Sequence, residues 1–175
     1  IVFGARTADG KTPLWVRSLD GLTAQPLAGT EGASFPFWSP DSRFIAFFAD
    51  RKLKKIDASG GPALALTDAP GGRGGSWSRD GVIMFAPTNN PGLLRVSSAG
   101  GASSPVSAEP GSFPFFLPDG QHFLYQEDVG GAENPIRVGS LDGSPSKAVG
   151  TGGSNPLYAQ GHLLFLRDGT LMAQP

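Results

Sequence analysis

Short apolar runs alternate with clusters of Gly, Pro, Asn and Asp along the whole chain, and that alternation predicts β-structure throughout. The runs Phe44-Ile-Ala-Phe-Phe48, Val82-Ile-Met-Phe85, His122-Phe-Leu-Tyr125 and His162-Leu-Leu-Phe165 have strand length and β-favouring side chains. A second run, ending at a turn signal, follows three of them at Leu53 to Gly60, Leu94 to Gly101 and Ile136 to Gly143. Leu14 to Gly21 is an earlier copy, preceded by the short run Ile1-Val-Phe3. A third, weaker run carries Leu27, Leu66, Val106 and Val149. The Asp-Gly and Gly-Gly pairs between runs supply the positive φ that tight hairpins require.

One more element precedes each of these groups. Ser34-Phe-Pro-Phe-Trp-Ser-Pro-Asp41 returns as Ser112-Phe-Pro-Phe-Phe-Leu-Pro-Asp119, 78 positions later. A weaker copy, Arg73-Gly-Gly-Ser-Trp-Ser-Arg-Asp80, lies halfway between them, and a fourth opens with Ser154-Asn-Pro-Leu-Tyr158. The chain is therefore a repeat of about 40 residues holding four short strands, A to D, and units of that kind stack because none buries its apolar face alone. Four strands per repeat predict an all-β fold, a β-propeller of four-stranded antiparallel blades. About four and a half blades are expected, over 1–30 (partial), 34–70, 73–109, 112–151 and 154–175 (partial). The first partial blade lacks A and the last lacks D, so the two duplicate B and C and cannot merge. The expectation is a segment of a six- to eight-bladed ring whose remaining blades are partners. Ile1, Phe3, Leu14 and Trp15 would then be exposed at one end, and Leu163, Phe165 and Leu171 at the other. The start at Ile1, without Met or a secretory leader, fits a piece of a longer protein.

Composition narrows the field of functions. Gly (26) and Pro (16) are abundant, but 39% hydrophobic residues and 12 Phe are enough to build a core. A net charge of −1 provides no field for nucleic acid or an anionic membrane. Without cysteine there are no disulfides or thiolate metal sites. The longest apolar runs, 44–49 and 163–166, are strand-sized, so this segment makes no membrane contact.

The Ser-Pro-Asp turn before strand B and the Leu-Asp-Gly turn after strand C resemble the TolB-like propeller repeat, and the resemblance covers essentially all of the chain. The downstream third, Phe115 to Tyr125, Ile136 to Gly143 and Tyr158 to Pro175, is similar to the propellers that follow the kinase domain in bacterial, notably acidobacterial, receptor-type Ser/Thr kinases. That resemblance implies a sensory or interaction module beyond a membrane span, on the periplasmic or extracytoplasmic side. Alternatives are a periplasmic TolB-like scaffold and the gating propeller of a prolyl-oligopeptidase-type hydrolase. The copy at Ser78-Arg-Asp-Gly81 departs most from the pattern, and its strand B starts one residue early.

Candidate chemistry is sparse. Asp41, Asp80 and Asp119 share one repeat position, where acids around a channel are one reading and carboxylates capping the A–B turn the favoured one. His122 and His162 also share a position, but lack the further ligands a metal site needs. Gly71-Gly-Arg-Gly-Gly75 lacks the Lys-Ser/Thr of a phosphate loop. Arg51-Lys-Leu-Lys-Lys55 reads as an exposed hairpin. Trp38, Trp77, Phe116 and Tyr158 form an aromatic column expected in the core between blades. No nucleophile–base motif stands out, so neither catalysis nor a cofactor is expected of this segment.

A partner, protein or small ligand, is expected at the rim where D–A and B–C loops crowd together. These loops vary most: Phe47 to Leu53 spans six residues, Tyr125 to Ile136 eleven. The rim candidates are Arg6, Arg51, Arg73, Asn89, Asn90, Glu127, Asp128 and Asn155.

Overall fold

In the computed structural model, which describes residues 1–88, 92–107, 109–131, 134–152 and 155–175, every regular element among the described residues is a strand. Sheet I holds β1 (Val2–Gly4), β2 (Leu14–Val16) and β3 (Gln25–Leu27). Sheet II holds β4 (Ser34–Trp38), β5 (Phe44–Ala49), β6 (Lys52–Asp57) and β7 (Leu64–Asp68). Sheet III comprises β8 (Gly75–Trp77), β9 (Val82–Phe85), β10 (Leu94–Ser97) and β11 (Ser104–Pro105). Sheet IV comprises β12 (Gly111–Phe116), β13 (His122–Glu127), β14 (Asn134–Ser140) and β15 (Lys147–Gly152). Sheet V has β16 (Leu157–Ala159), β17 (His162–Arg167) and β18 (Thr170–Gln174). Each sheet is an antiparallel meander, and together they stand as the blades of a β-propeller.

Strand periodicity explains the stacking. In β5, Ile45, Phe47 and Ala49 face sheet I, where they meet Leu14 and Leu27. Ala46 and Phe48 face sheet III and pack with Ile83, Phe85 and Val96. β9 repeats the device: its Met84, and Ala86 just beyond its end, turn toward Phe123 and Tyr125 of sheet IV. Leu124 turns onward to Ile136 and Phe165, at the contact with sheet V. Strands covered on both faces read as continuous apolar runs, as these do. Each large side chain so buried contributes about 1.5–3 kcal/mol, so the order of the blades is fixed by the B strands.

The outer faces carry Ile1, Phe3, Trp15 and Leu171 as expected, but not Leu14, Leu163 or Phe165. Leu14 and Phe165 are buried at 0% and 3% exposure, and Leu163 packs inward with Phe165. Because side chains alternate across a strand, the free face of sheet I carries Phe3 opposite Trp15. That of sheet V carries Leu157 opposite Leu164, and Leu166 opposite Leu171.

Candidate functional site: the axial cavity and its rims

Strands β4, β8, β12 and β16 are the innermost of their sheets and enclose an axial cavity of about 680 Å³. One mouth is formed where these strands begin, at Phe35, Gly74, Phe113 and Asn155, on the side of the D–A and B–C loops. The other is formed by the A–B turns, with Pro40, Arg79, Asp80 and Asp119. Trp38, Trp77 and Phe116 line the wall between the two mouths.

The loop-side mouth is built on unusual backbone. Phe35 and Phe113 occupy equivalent places in the repeat and both take positive φ, 47° and 53°. Each lies where the pairing of its A strand with strand B slips, between Ser34 and Phe37 in β4 and between Ser112 and Phe115 in β12. An aromatic residue at positive φ is an outlier that costs on the order of 1–3 kcal/mol. The two rings meet, with centroids 5.6 Å apart at 60°. The strand between them carries Gly74 at φ +84°, and a Cβ there would lie 2.8 Å from Phe113 Cδ1. Gly at this one position lets two aromatic side chains converge across an intervening blade. The Arg73 guanidinium lies 5.4 Å from the Phe113 ring centroid, and the Phe113 N–H donates to the Arg73 carbonyl at 2.9 Å.

The rim residues singled out in the sequence do not form one cluster. Arg73 and Asn155 stand at this mouth. Arg6 lies in the exposed β1–β2 loop and Arg51 at the tip of the two-residue β5–β6 hairpin. Lys52 and Lys54 of that hairpin pair with Asp68 and Asp50. Glu127 is held by Arg137 at 3.1 Å, and Asp128 accepts a hydrogen bond from Ser112 Oγ at 3.1 Å. Both acids are thereby committed to contacts inside sheet IV. Asn89 and Asn90 lie outside the described residues, as does Ser154 of the fourth motif copy.

Each ring of the aromatic column packs on a different inter-sheet core. Trp38 packs on the core between sheets I and II, and Trp77 on that between II and III. Phe116 belongs to the core between III and IV, and Tyr158 packs on that between IV and V.

Geometry separates the three turn aspartates. Asp41 accepts from Ser39 Oγ at 2.6 Å and from the Arg43 N–H at 3.1 Å. Asp119 accepts the N–H groups of Gln121 and His122, both at 2.9 Å, and faces His122 Nδ1 at 2.7 Å. The N–H and ring of His122, with the Gln121 N–H, lower the Asp119 pKa to about 2. Asp80 differs: among the described residues its carboxylate accepts no hydrogen bond, and the Val82 N–H donates to Ser78 Oγ instead. The cause is length, since β9 begins two residues after Asp80, whereas β5 and β13 begin three residues after Asp41 and Asp119. His162 sits in its own turn, with Nδ1 2.9 Å from the Gln160 carbonyl.

A polar cluster on sheet IV has no counterpart in the sequence reading. Tyr125 Oη donates to Glu109 at 2.6 Å, Ser146 Oγ donates to the same oxygen at 2.8 Å, and Arg137 reaches Ser146 and Glu127. Burial first, then the Glu109 carboxylate, pushes the Tyr125 hydroxyl up to about 12. The cluster ties the loop before β12 to β13, β14 and the loop that leads into β15.

No protein-family model matches the sequence. Solved structures do. TolB from Acinetobacter baumannii superposes with a TM-score of 0.79 at 13% identity, over 98% of this chain and 48% of that one. The chain shares the β-propeller fold of TolB. A protein described as a TolB of Agrobacterium tumefaciens gives a TM-score of 0.74 at 18% identity, over 89% of this chain and 65% of that one. A prolyl endopeptidase gives 0.58 at 15% identity, over 88% of this chain and 28% of that one. The chain thus spans less than two thirds of the length of either TolB structure.

Proposed function

We propose that this TolB-like propeller is a non-catalytic protein-interaction domain whose partner docks at the loop-side mouth of the axial cavity. The observation that carries the proposal is the Phe35–Phe113 pair, two aromatic rings on left-handed backbone at an open mouth. Strain retained where it adds little burial points to recognition, since Phe35 is 40% exposed. A photo-crosslinking residue placed at position 35 in the native host should give one protein adduct, and the same residue at Lys147 none. The adduct should disappear on Phe113→Gly while the thermal melt is preserved. Equal labelling from both positions would overturn the assignment.

The finer reading is that the propeller is the extracytoplasmic sensor of a bacterial receptor-type Ser/Thr kinase. It is supported by the resemblance of the turns and of the downstream third. A hydrolase-linked propeller is the second reading, favoured by the superposition on a prolyl endopeptidase. Labelling the full-length protein with a fluorophosphonate separates them, because only a serine hydrolase reacts. The free apolar faces of sheets I and V are proposed to receive further blades of the same ring.

A further inference from the structure

The groove between sheets II and III, on the A–B side and away from the aromatic mouth, has a chemistry of its own. It encloses about 580 Å³. Its floor is Phe44 stacked on Trp77, with centroids 6.3 Å apart and planes 27° apart. Two cations lie over the Phe44 ring, Lys55 Nζ at 5.3 Å and the Arg43 guanidinium at 5.6 Å. Lys55 spans the groove and donates to the Ser98 carbonyl at 2.6 Å, which leaves further N–H bonds on its ammonium. Arg79 stands exposed on the opposite lip.

Two of the nearby acids, Asp41 on the groove wall and Asp57, are engaged in their own turns, while Asp80, beside Arg79 in sequence, lines the axial mouth. Asp41 closes its own turn through Ser39 and the Arg43 N–H. Asp57 accepts from the Ser59 N–H at 2.8 Å and from its hydroxyl at 2.6 Å. Lys55 and Arg79 therefore line the groove, with Arg43 over the Phe44 ring beside it, and among the described residues no carboxylate of the protein is bound to any of the three. The A–B side of sheet IV is opposite in sign, with Asp119 and Asp142 near His122. At the Phe44 position the next two sheets place Val82 and His122, so the aromatic floor is particular to sheet II.

We propose that this groove docks an acidic peptide segment, its Asp or Glu carboxylates reaching Arg79, Lys55 and Arg43 while its stem carbons lie on the Phe44–Trp77 floor. A nucleic acid is disfavoured, because the chain carries a net charge of −1 and three local cations do not make the extended basic track that a phosphate backbone needs. Charge-assisted hydrogen bonds from Arg and Lys to carboxylates supply the recognition.

The test is fluorescence anisotropy of a labelled hexaglutamate peptide at low salt with the full chain. Hexalysine and a thymidine hexanucleotide serve as competitors. Saturable binding should weaken roughly tenfold or more on Arg79→Glu and on Arg43→Glu, the loss expected for a charge-assisted contact. Both positions are exposed, so the thermal melts should not move. Arg51→Glu, on the opposite rim, should leave the affinity unchanged. The proposal is overturned by an absence of saturable binding, by an equal loss with Arg51→Glu, or by a hexanucleotide that competes as well as unlabelled hexaglutamate.

Discussion

Gly74→Ala probes the convergence of blades at the aromatic mouth. At φ +84° the new side chain occupies left-handed backbone, which costs an L-residue about 1–2 kcal/mol. Its Cβ would also meet Phe113 Cδ1 at 2.8 Å and Phe113 Cα at 3.0 Å. Relieving the ring contact moves Phe113 away from Phe35 and Arg73, and overpacking of this kind costs about 1–3 kcal/mol. The sum is about 2–5 kcal/mol, and a chain of this size loses roughly 2–4 °C of Tm per kcal/mol. Phe113→Gly removes the ring but leaves the backbone contact. In the double variant the ring clash is gone and the φ cost remains, so the two substitutions should couple by about 1 kcal/mol or more. Urea midpoints of the four proteins, followed by circular dichroism, give the cycle. A Gly74→Ala protein as stable as the parent, or strictly additive effects, would refute the convergence of Phe113 over Gly74.

Other outcomes follow from the turns, the polar cluster and the outer faces. Asp119→Ala should lose about 0.5–2 kcal/mol, the range for a capping side chain, with Asp119→Asn milder, while Asp80→Ala should stay within about 0.5 kcal/mol. Because the Asp119 pKa is lowered from 3.8 to about 2 on folding, its contribution is complete above pH 3.8 and lost as the pH falls through about 2. Urea titrations at pH 7 and in acid should show a shallower acid limb in Asp119→Ala than in the parent, the remainder belonging to Asp142 and the other carboxylates lowered by their turns. Tyr125→Phe removes a 2.6 Å hydrogen bond to a carboxylate and should cost about 1.5–3 kcal/mol in the same titration. On the free face of sheet V, Leu166→Lys with Leu171→Lys should reduce self-association in light scattering, whereas Lys147→Glu on the outer strand of sheet IV should not.

The architecture was legible because both faces of the B strands of sheets II, III and IV are covered, so the buried positions form unbroken apolar runs between Gly- and Asp-rich turns. Side-chain direction was less legible. An unbroken run does not mark which residues face which neighbour, so Leu14, Leu163 and Phe165 turn inward where an outer face was expected. The aromatic mouth was hidden for a different reason. Ser34-Phe-Pro-Phe reads as an ordinary strand, and only Gly74 at the equivalent place hinted that this position takes positive φ. The early start of β9 was visible, but its consequence for Asp80 depended on counting the N–H groups within its reach. Glu109, Tyr125 and Ser146 gave no sequence signal, being 16 and 37 residues apart.

The two rims of the propeller can serve different ends because the stability of the fold lies between them. Every inter-sheet core is built largely on the B strands, with side chains such as Phe47, Phe85 and Tyr125 fully buried. A few of these side chains, at about 1.5–3 kcal/mol each, outweigh two left-handed phenylalanines at about 1–3 kcal/mol each. Neither mouth therefore has to be optimal for folding. On the loop side the surplus sustains a strained aromatic pair. On the A–B side it sustains two cations over an aromatic ring and a third on the opposite lip, an arrangement that adds like-charge repulsion without burying a carboxylate against it. Both departures sit at strand ends, where altered side chains leave the alternation of the cores untouched. That separation explains how blades that agree in their apolar runs diverge at the same repeat position, with Phe44, Val82 and His122 each opening a B strand.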